Sequence, residues 1–248
     1  MKKVILGRTE ESTSIISLGA WSHGKQNADG GASVGWSYQS DQDSKDALLQ
    51  SFSLGINHWD TADVYGDGHS EKIIGSMWNE IPRNNIFLAT KVGWDKGPNK
   101  YWYNSDYIRT KMEQSLKNLK TDCVDLFYLH HCNFGKKDEF LERAMEQLMR
   151  FKEEGKTRFI GLSDWSANKI MKYIDIVNPD VVQPLYNVYD IEYETSGLKD
   201  HIATNNLGVC FFSPIKHGIL TGKYNSIPDF PKGDFRRSIK EFKDMEFI

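Results

Sequence analysis

The fold this sequence predicts is α/β: a parallel TIM-type (β/α)8 barrel, with about seven strands in evidence. Three observations lead there. Short runs of β-branched and aromatic residues alternate with amphipathic segments along nearly the whole chain, the pattern of a parallel sheet covered by helices. The runs are apolar without a clean alternation, as expected of strands buried on both faces. Successive runs also end in polar or ionisable residues, and the carboxyl ends of barrel strands form the face that carries chemistry.

In chain order the strand candidates are Ile15–Leu18, Ile56–Trp59, Ile86–Thr90, Val124–Leu129, Arg158–Leu162, Val181–Leu185 and Val209–Phe212. Helical patterns fill the intervals at Asp43–Leu54, Glu71–Trp78, Ser105–Leu119, Lys137–Glu154, Ser166–Ile176 and Ser196–Asn205. Ala47, Leu48, Phe52 and Leu54 give the first helix its apolar face, and Phe140, Leu141, Ala144, Leu148 and Phe151 do so for the fourth. Gly55 and Gly155 follow two of these helices, where a left-handed cap is wanted. The irregular stretches Gln26–Ser37 and Gly93–Tyr103 follow strand ends and belong to the same rim as the polar residues. No repeat or linker divides the chain, so residues 1–248 read as one domain.

A doubly wound dinucleotide fold fits less well. The nearest glycine motif, Gly66-Asp67-Gly68-His69-Ser70-Glu71, follows the second strand and has Glu in place of the third glycine. Gly218 to Tyr224 fails as a phosphate loop for want of a residue and a final Ser or Thr.

Composition narrows the function classes. Net charge is −3, with 39 % hydrophobic and 26 % charged residues, which leaves no basic footprint for nucleic acid or an anionic membrane. No apolar run reaches the length of a membrane span, and the N-terminal residues lack the apolar core of a signal peptide. The three cysteines, Cys123, Cys132 and Cys210, form no framework and point to reduced thiols in a cytoplasmic compartment.

The rim residues are specific. Strand two ends in Asp60, with Tyr65 in the following loop; strand three ends at Lys91, strand four at His130-His131, strand five at Ser163-Asp164. Strand six carries Gln183 and ends at Tyr186-Asn187; strand seven ends at Ser213. A buried Lys91 needs a counter-ion, which Asp60 supplies, and its charge near Tyr65 is expected to draw the phenol pKa down. Such a phenol protonates a carbonyl oxygen that His130 orients. No side chain provides the hydride such a reduction needs, so a nicotinamide cofactor is implied. A structural ion pair is the plainer reading of Asp60 with Lys91 alone; Tyr65 and His130 beside it favour the site. His130 and His131, adjacent on a strand, point to opposite faces and do not share a metal, so no metal site is assigned.

Asp60-Thr61-Ala62-Asp63-Val64-Tyr65-Gly66, Gly68-His69-Ser70-Glu71, Thr90-Lys91, Asp125 to His130, Gly161 to Asp164, Val182 to Asn187 and Ser213 to Lys223 occur in an order that resembles the aldo-keto reductase family. The resemblance runs from Leu6 to about Arg237. It implies NADPH-dependent reduction of an aldehyde or ketone, a small-molecule carbonyl substrate and NADP(H) as cofactor. It makes Tyr65 the general acid, with Lys91 and Asp60 tuning it and His130 orienting the substrate. Ser163, Asp164 and Gln183 hold the nicotinamide carboxamide, Tyr186 stacks on its ring, and Ser213, Ile215, Gly218 and Lys223 wrap the pyrophosphate. Ala20 and Trp21 line the pocket where cofactor and substrate meet. Asp164 stands where the family commonly has Asn, so it accepts from the carboxamide rather than donating to it. Typical members continue beyond this point through a last strand and helices, which are expected to be absent here. The rival expectation is an inactive, incomplete barrel that binds cofactor weakly or needs a partner chain. A metal-dependent barrel hydrolase is a third.

Overall fold

The computed structural model describes residues 1–24, 39–232, 234–244 and 246. The loop expected to help select substrate, Gln26–Ser37, lies outside the described residues.

The chain opens with a small antiparallel hairpin, β1 (Lys3–Ile5) with β2 (Ser12–Ser14). Seven strands then form one parallel, curled sheet in sequence order: β3 (Leu18–Gly19), β4 (His58–Asp60), β5 (Phe87–Val92), β6 (Val124–Leu129), β7 (Thr157–Asp164), β8 (Val181–Pro184) and β9 (Gly208–Val209). Among the described residues β3 and β9 are the two ends of that sheet. The helices are α1 (Asp41–Ser53), α2 (His69–Gly75), α3 (Ser105–Leu119), α4 (Leu141–Glu153), α5 (Ala167–Val177), α6 (Glu192–Thr195) and α7 (Leu198–Asn205). None of the described helices is long and apolar enough to cross a membrane. The fold is α/β of the TIM type, with seven parallel barrel strands among the described residues.

Local signals explain the boundaries. Ser40 caps α1 through a reciprocal box with Asp43, so the helix starts two residues before the expected Asp43. The side chain of Ser166 caps α5. Gly55 and Gly155 have φ of +82° and +70°, the left-handed closure expected of them. The fourth helix is shorter than the predicted Lys137–Glu154, because Lys137 and Asp138 adopt left-handed φ and break the run. The predicted strand Ile15–Leu18 is displaced. Ile15 and Ile16 lie in an exposed bend, the barrel strand starts at Leu18, and the β1–β2 hairpin precedes it.

Alternation along the strands sorts side chains into two layers. Trp59, Leu88, Phe127, Leu129, Ile160, Leu162 and Val182 face the helices and form the main core with α2, α3, α4, α5 and α7. Phe87, Ala89, Leu126, Tyr128 and Val181 fill the barrel interior, with Leu6 packed among them. Asp60, Lys91, Ser163 and Gln183 continue the interior parity of β4, β5, β7 and β8, so the same alternation that builds the core delivers them to the rim.

Candidate active site

The turn after β4 is built to hold Tyr65. The N–H groups of Thr61 and Asp63 donate to the carbonyls of Ala89 and Lys91, which continues the ladder against β5. A Cβ at Gly66 would run into the Gly24 carbonyl, and one at Gly68 into the Asn118 amide, so only glycine closes this turn. Ser70 donates to the Ala20 carbonyl at 2.9 Å and shares a 2.9 Å hydrogen bond with Thr61 Oγ1. Glu71 accepts from Thr90 Oγ1 at 2.7 Å and from Asn118 Nδ2 at 3.0 Å. The Gly-x-Ser-Glu run therefore acts as scaffold. It ties the Tyr65 turn to β3, β5 and α3.

The four residues expected to carry the chemistry come together. Lys91 is fully buried and pairs with Asp60 Oδ1; it also donates to the Thr61 carbonyl at 2.8 Å and to the Tyr65 hydroxyl at 3.5 Å. Below, its ammonium lies 5.9 Å from the centre of the Tyr128 ring. Gln183 Nε2 donates to Asp60 Oδ2 at 2.9 Å, so both carboxylate oxygens are occupied. The His130 ring stands edge-on to Tyr65, with centroids 5.8 Å apart.

Electrostatics corrects one expectation. The Tyr65 pKa is raised, because burial of the phenolate outweighs the opposing charge of Lys91. Lys91 is itself raised: Asp60 and Tyr65 overcome the burial that alone would lower it, and the lysine stays cationic. His130 is held well below its ordinary value by burial and by Lys91, which leaves a neutral imidazole. Its Nδ1 is buried with no hydrogen-bond partner among the described residues. With the proton on Nε2, Nδ1 is the bare acceptor and Nε2 the available donor.

His131 points the other way. Its Nε2 contacts the Gly93 carbonyl at 2.8 Å, its Nδ1 accepts from Asn133 N–H at 3.1 Å, and burial lowers its pKa to about 4. It packs among Trp94, Trp102 and Tyr103. His58 faces the interior beneath Asp60, with Nδ1 2.8 Å from Ser17 Oγ and Nε2 without a hydrogen-bond partner among the described residues. Asp125, from the strand-four motif, accepts from the Leu88 N–H, Arg83 and Arg158 and so ties β5, β6 and β7 at their starts.

The residues assigned to cofactor divide. Ser163 and Gln183 face inward side by side; Ser163 Oγ donates to the Gln183 carbonyl at 2.9 Å, and no described residue donates to Gln183 Oε1. Asp164 faces outward, where its carboxylate accepts from Cys132 N–H at 2.7 Å and Ser166 N–H at 2.9 Å. Tyr186 departs from its expected place over a cofactor ring. It shares the helix-facing parity of Val182; its ring packs on Tyr193 and Phe211, and its hydroxyl donates to Glu194 at 2.5 Å. The aromatic that keeps interior parity is Phe212, which bridges Leu185 and continues from Cys210, whose Sγ is 3.9 Å from His58 Nδ1. Sequence reasoning passed over Phe212; counting twos from Gln183 to Leu185, and then across the sheet, is the signal that finds it.

Ala20 is buried at the end of β3, its N–H donating to the Asp60 carbonyl at 2.8 Å. Trp21 follows it and packs edge-on against His217 and Phe235, so the segment after β9 folds across the β3 end of the rim. That segment has left-handed φ at Ser213, Lys216, His217, Gly218 and Gly222. Ile215 and Lys223 are exposed along it, and Lys216 anchors it to Asp190 and Glu241. A cavity of about 520 Å³ is lined by residues that include Trp94, His131, Asp164, Trp165, Leu185 and Tyr189. The Asp60, Tyr65, Lys91 and His130 side chains are outside its lining, and Trp94, whose ring is 6.1 Å from His130, stands between the two.

Comparison with known proteins agrees with this geometry. A model of the Aldo/keto reductase family matches residues 16–246. An NADP(+)-designated aldo-keto reductase of Schizosaccharomyces pombe is 35 % identical over 215 residues, a match that covers 84 % of this chain and 62 % of that protein. An L-glyceraldehyde 3-phosphate reductase of Escherichia coli O157:H7 is 31 % identical over 73 % of this chain and 56 % of its own. A glycerol dehydrogenase of Gluconobacter oxydans superimposes with a TM-score of 0.75 at 28 % identity, over 96 % of this chain and 71 % of that one. The chain thus spans between about half and three quarters of the length of these relatives. With the motifs in family order and the Asp60, Tyr65, Lys91 and His130 side chains assembled at one rim, this chain belongs to the aldo/keto reductase family.

Proposed function

We propose that this chain reduces an aldehyde or ketone to an alcohol, with NADP(H) as cofactor and Tyr65 as the proton donor. The single observation that carries this reading is the placement of Lys91 Nζ, paired with Asp60 and 3.5 Å from the Tyr65 hydroxyl, beside a neutral His130.

The donors and acceptors at the rim fit a nicotinamide dinucleotide. Gln183 Oε1 and the lone pairs of Ser163 Oγ, whose proton goes to the Gln183 carbonyl, are acceptors for a carboxamide NH2, and Asp164 has lone pairs beyond its two backbone bonds. The Phe212 ring offers a face for the heterocycle in place of Tyr186. Left-handed turns from Ser213 to Gly222 suit a pyrophosphate, because such turns aim backbone N–H groups into one concavity; Ile215, Gly218 and Lys223 lie along that stretch. Trp21 and Ala20 close the site on the β3 side. When bound, the cofactor supplies the hydride that no side chain can.

The protein's own part is proton delivery. Burial keeps Tyr65 protonated at neutral pH, so the acid is loaded before the carbonyl arrives. His130 Nε2 donates to the substrate oxygen and orients it toward the Tyr65 hydroxyl. As the phenol gives up its proton, the Lys91 ammonium stabilises the phenolate, and Asp60 keeps that lysine charged. Family membership and the complete proton-donating group weigh against the rival inactive barrel.

The test is a spectrophotometric assay of NADPH oxidation with a panel of aldehydes and ketones, alongside fluorescence titration with NADPH. Saturable quenching with carbonyl-dependent oxidation is the expected result. Tight NADPH binding with no turnover on any carbonyl would overturn the reading.

A further inference from the structure

Two stretches border the proton donor: the turn after β4, which carries Tyr65, and the loop after β5, which carries Trp94. One side chain on α3 reaches both. Lys111 Nζ is 3.4 Å from Asp63 Oδ2 and 2.8 Å from Asp95 Oδ2. Asp63 lies two residues before Tyr65, its N–H bonded to the Lys91 carbonyl at 3.1 Å. Its carboxyl is 3 % exposed, neither oxygen makes a hydrogen bond among the described residues, and Lys111 is the described cation that faces it. Asp95 adjoins Trp94 and is further held by the Gly97 N–H and the Tyr107 hydroxyl, each at 2.8 Å. The Trp94 ring lies 6.1 Å from His130 and 4.6 Å from His131, and it lines the cavity.

A lysine on a solvated helix face would leave its ammonium in water. This one is 16 % exposed and stands between two carboxylates from different loops, one of them buried. Removing its charge takes from buried Asp63 the cation that faces it and leaves Asp95 tied to α3 through the Tyr107 hydroxyl alone, so the two stretches lose the side chain that reaches both.

We propose that Lys111 is a positioning residue that pins the Trp94 wall of the cavity to the Tyr65 turn and thereby sets how firmly the carbonyl substrate is held. Its effect on substrate rests on the carbonyl-reducing function above; the pin itself does not.

The experiment is amide hydrogen exchange on the full chain, paired with steady-state kinetics. In Lys111→Met, exchange rises about tenfold or more in residues 61–68 and 93–103 while β6, β7 and β8 keep wild-type protection. Asp95→Ala, a milder change at a more exposed partner, loosens 93–103 and leaves 61–68 protected. Lys111→Arg, which keeps the charge, restores both segments. The kinetic counterpart is a KM for the carbonyl raised about tenfold in Lys111→Met, with kcat within about threefold of wild type and NADPH affinity unchanged. Wild-type exchange in both segments of Lys111→Met would overturn the pin, as would a uniform loss of protection throughout the chain. Equal loosening of the two segments by Asp95→Ala would do the same. A fall in kcat with KM unchanged would overturn the substrate-holding role. Were the wild-type chain to reduce no carbonyl, the proposed function would fall while the exchange comparison still decided the pin.

Discussion

Lys91 Nζ stands 3.5 Å from the Tyr65 hydroxyl, with Asp60 on its other side, yet the Tyr65 pKa is raised rather than lowered. Desolvation of a phenolate at this depth exceeds the attraction of one ammonium. Under the proposed reduction, the lysine would serve the phenolate that forms as the proton leaves, while the resting phenol stays protonated.

The pH profile follows from that sign. The proton-bearing form of Tyr65 is present below its raised pKa and is lost only as pH climbs past it, beyond the ordinary tyrosine value of 10.0. His130, already neutral, adds no step near its ordinary value of 6.5. The profile of kcat/KM for carbonyl reduction is expected to show no break from either group between about pH 6 and 9. A fall in activity in that interval that disappears in Tyr65→Phe would contradict this assignment.

Tyr65→Phe itself is expected to lower kcat by about 10²- to 10⁴-fold, the usual range for a positioned acid, with NADPH affinity little changed. Rapid-quench or steady-state assays beside a fluorescence titration separate the two quantities.

Gln183 reaches across the barrel to Asp60 Oδ2 at 2.9 Å. Gln183→Leu leaves a buried carboxylate oxygen without its donor, a loss of about 1–3 kcal/mol. Equilibrium denaturation in urea is expected to show that loss together with reduced kcat, because Asp60 is then free to turn from Lys91. Gln183→Glu is expected to be worse, since it sets a second carboxylate against Asp60.

Gly161 lies under the Tyr128 ring, and a Cβ there would run into it. Tyr128 in turn packs beneath the Lys91 ammonium. Gly161→Ala is expected to cost about 1–3 kcal/mol in a urea melt through overpacking. Gly161→Ala with Tyr128→Leu is expected to recover part of it.

Asp63 makes stability depend on pH. Burial raises its pKa from 3.8 to about 7 despite Lys111, with Glu71 and Asp95 pushing the same way. The folded chain thus keeps a proton that the unfolded chain has already released, and stability falls as pH rises from about 4 to about 7. In Asp63→Asn that falling limb is expected to disappear from urea midpoints measured across the interval. An unchanged slope would place its origin in another group.

Where local pattern is strong, it fixes an element to the residue. Val124–Leu129 and Ser105–Leu119 stand as predicted, because a doubly buried strand and an Asn-capped amphipathic helix announce both of their ends. The β1–β2 hairpin escaped notice because three-residue strands are too short to show a period. Tyr186 was misplaced for a different reason. Its neighbourhood in the motif suggests the rim, but the two-residue alternation of β8 turns it toward α6, while Phe212 keeps the interior parity.

The order of strands and helices, and the polar groups at the strand ends, follow from periodicity along the chain. What those groups do to one another is set by the folded arrangement. Whether Lys91 or burial governs Tyr65, whether Gln183 serves Asp60, and whether Lys111 joins two loops all depend on distances between residues far apart in the chain. They depend also on the water each site excludes, and both are set when the strands curl together.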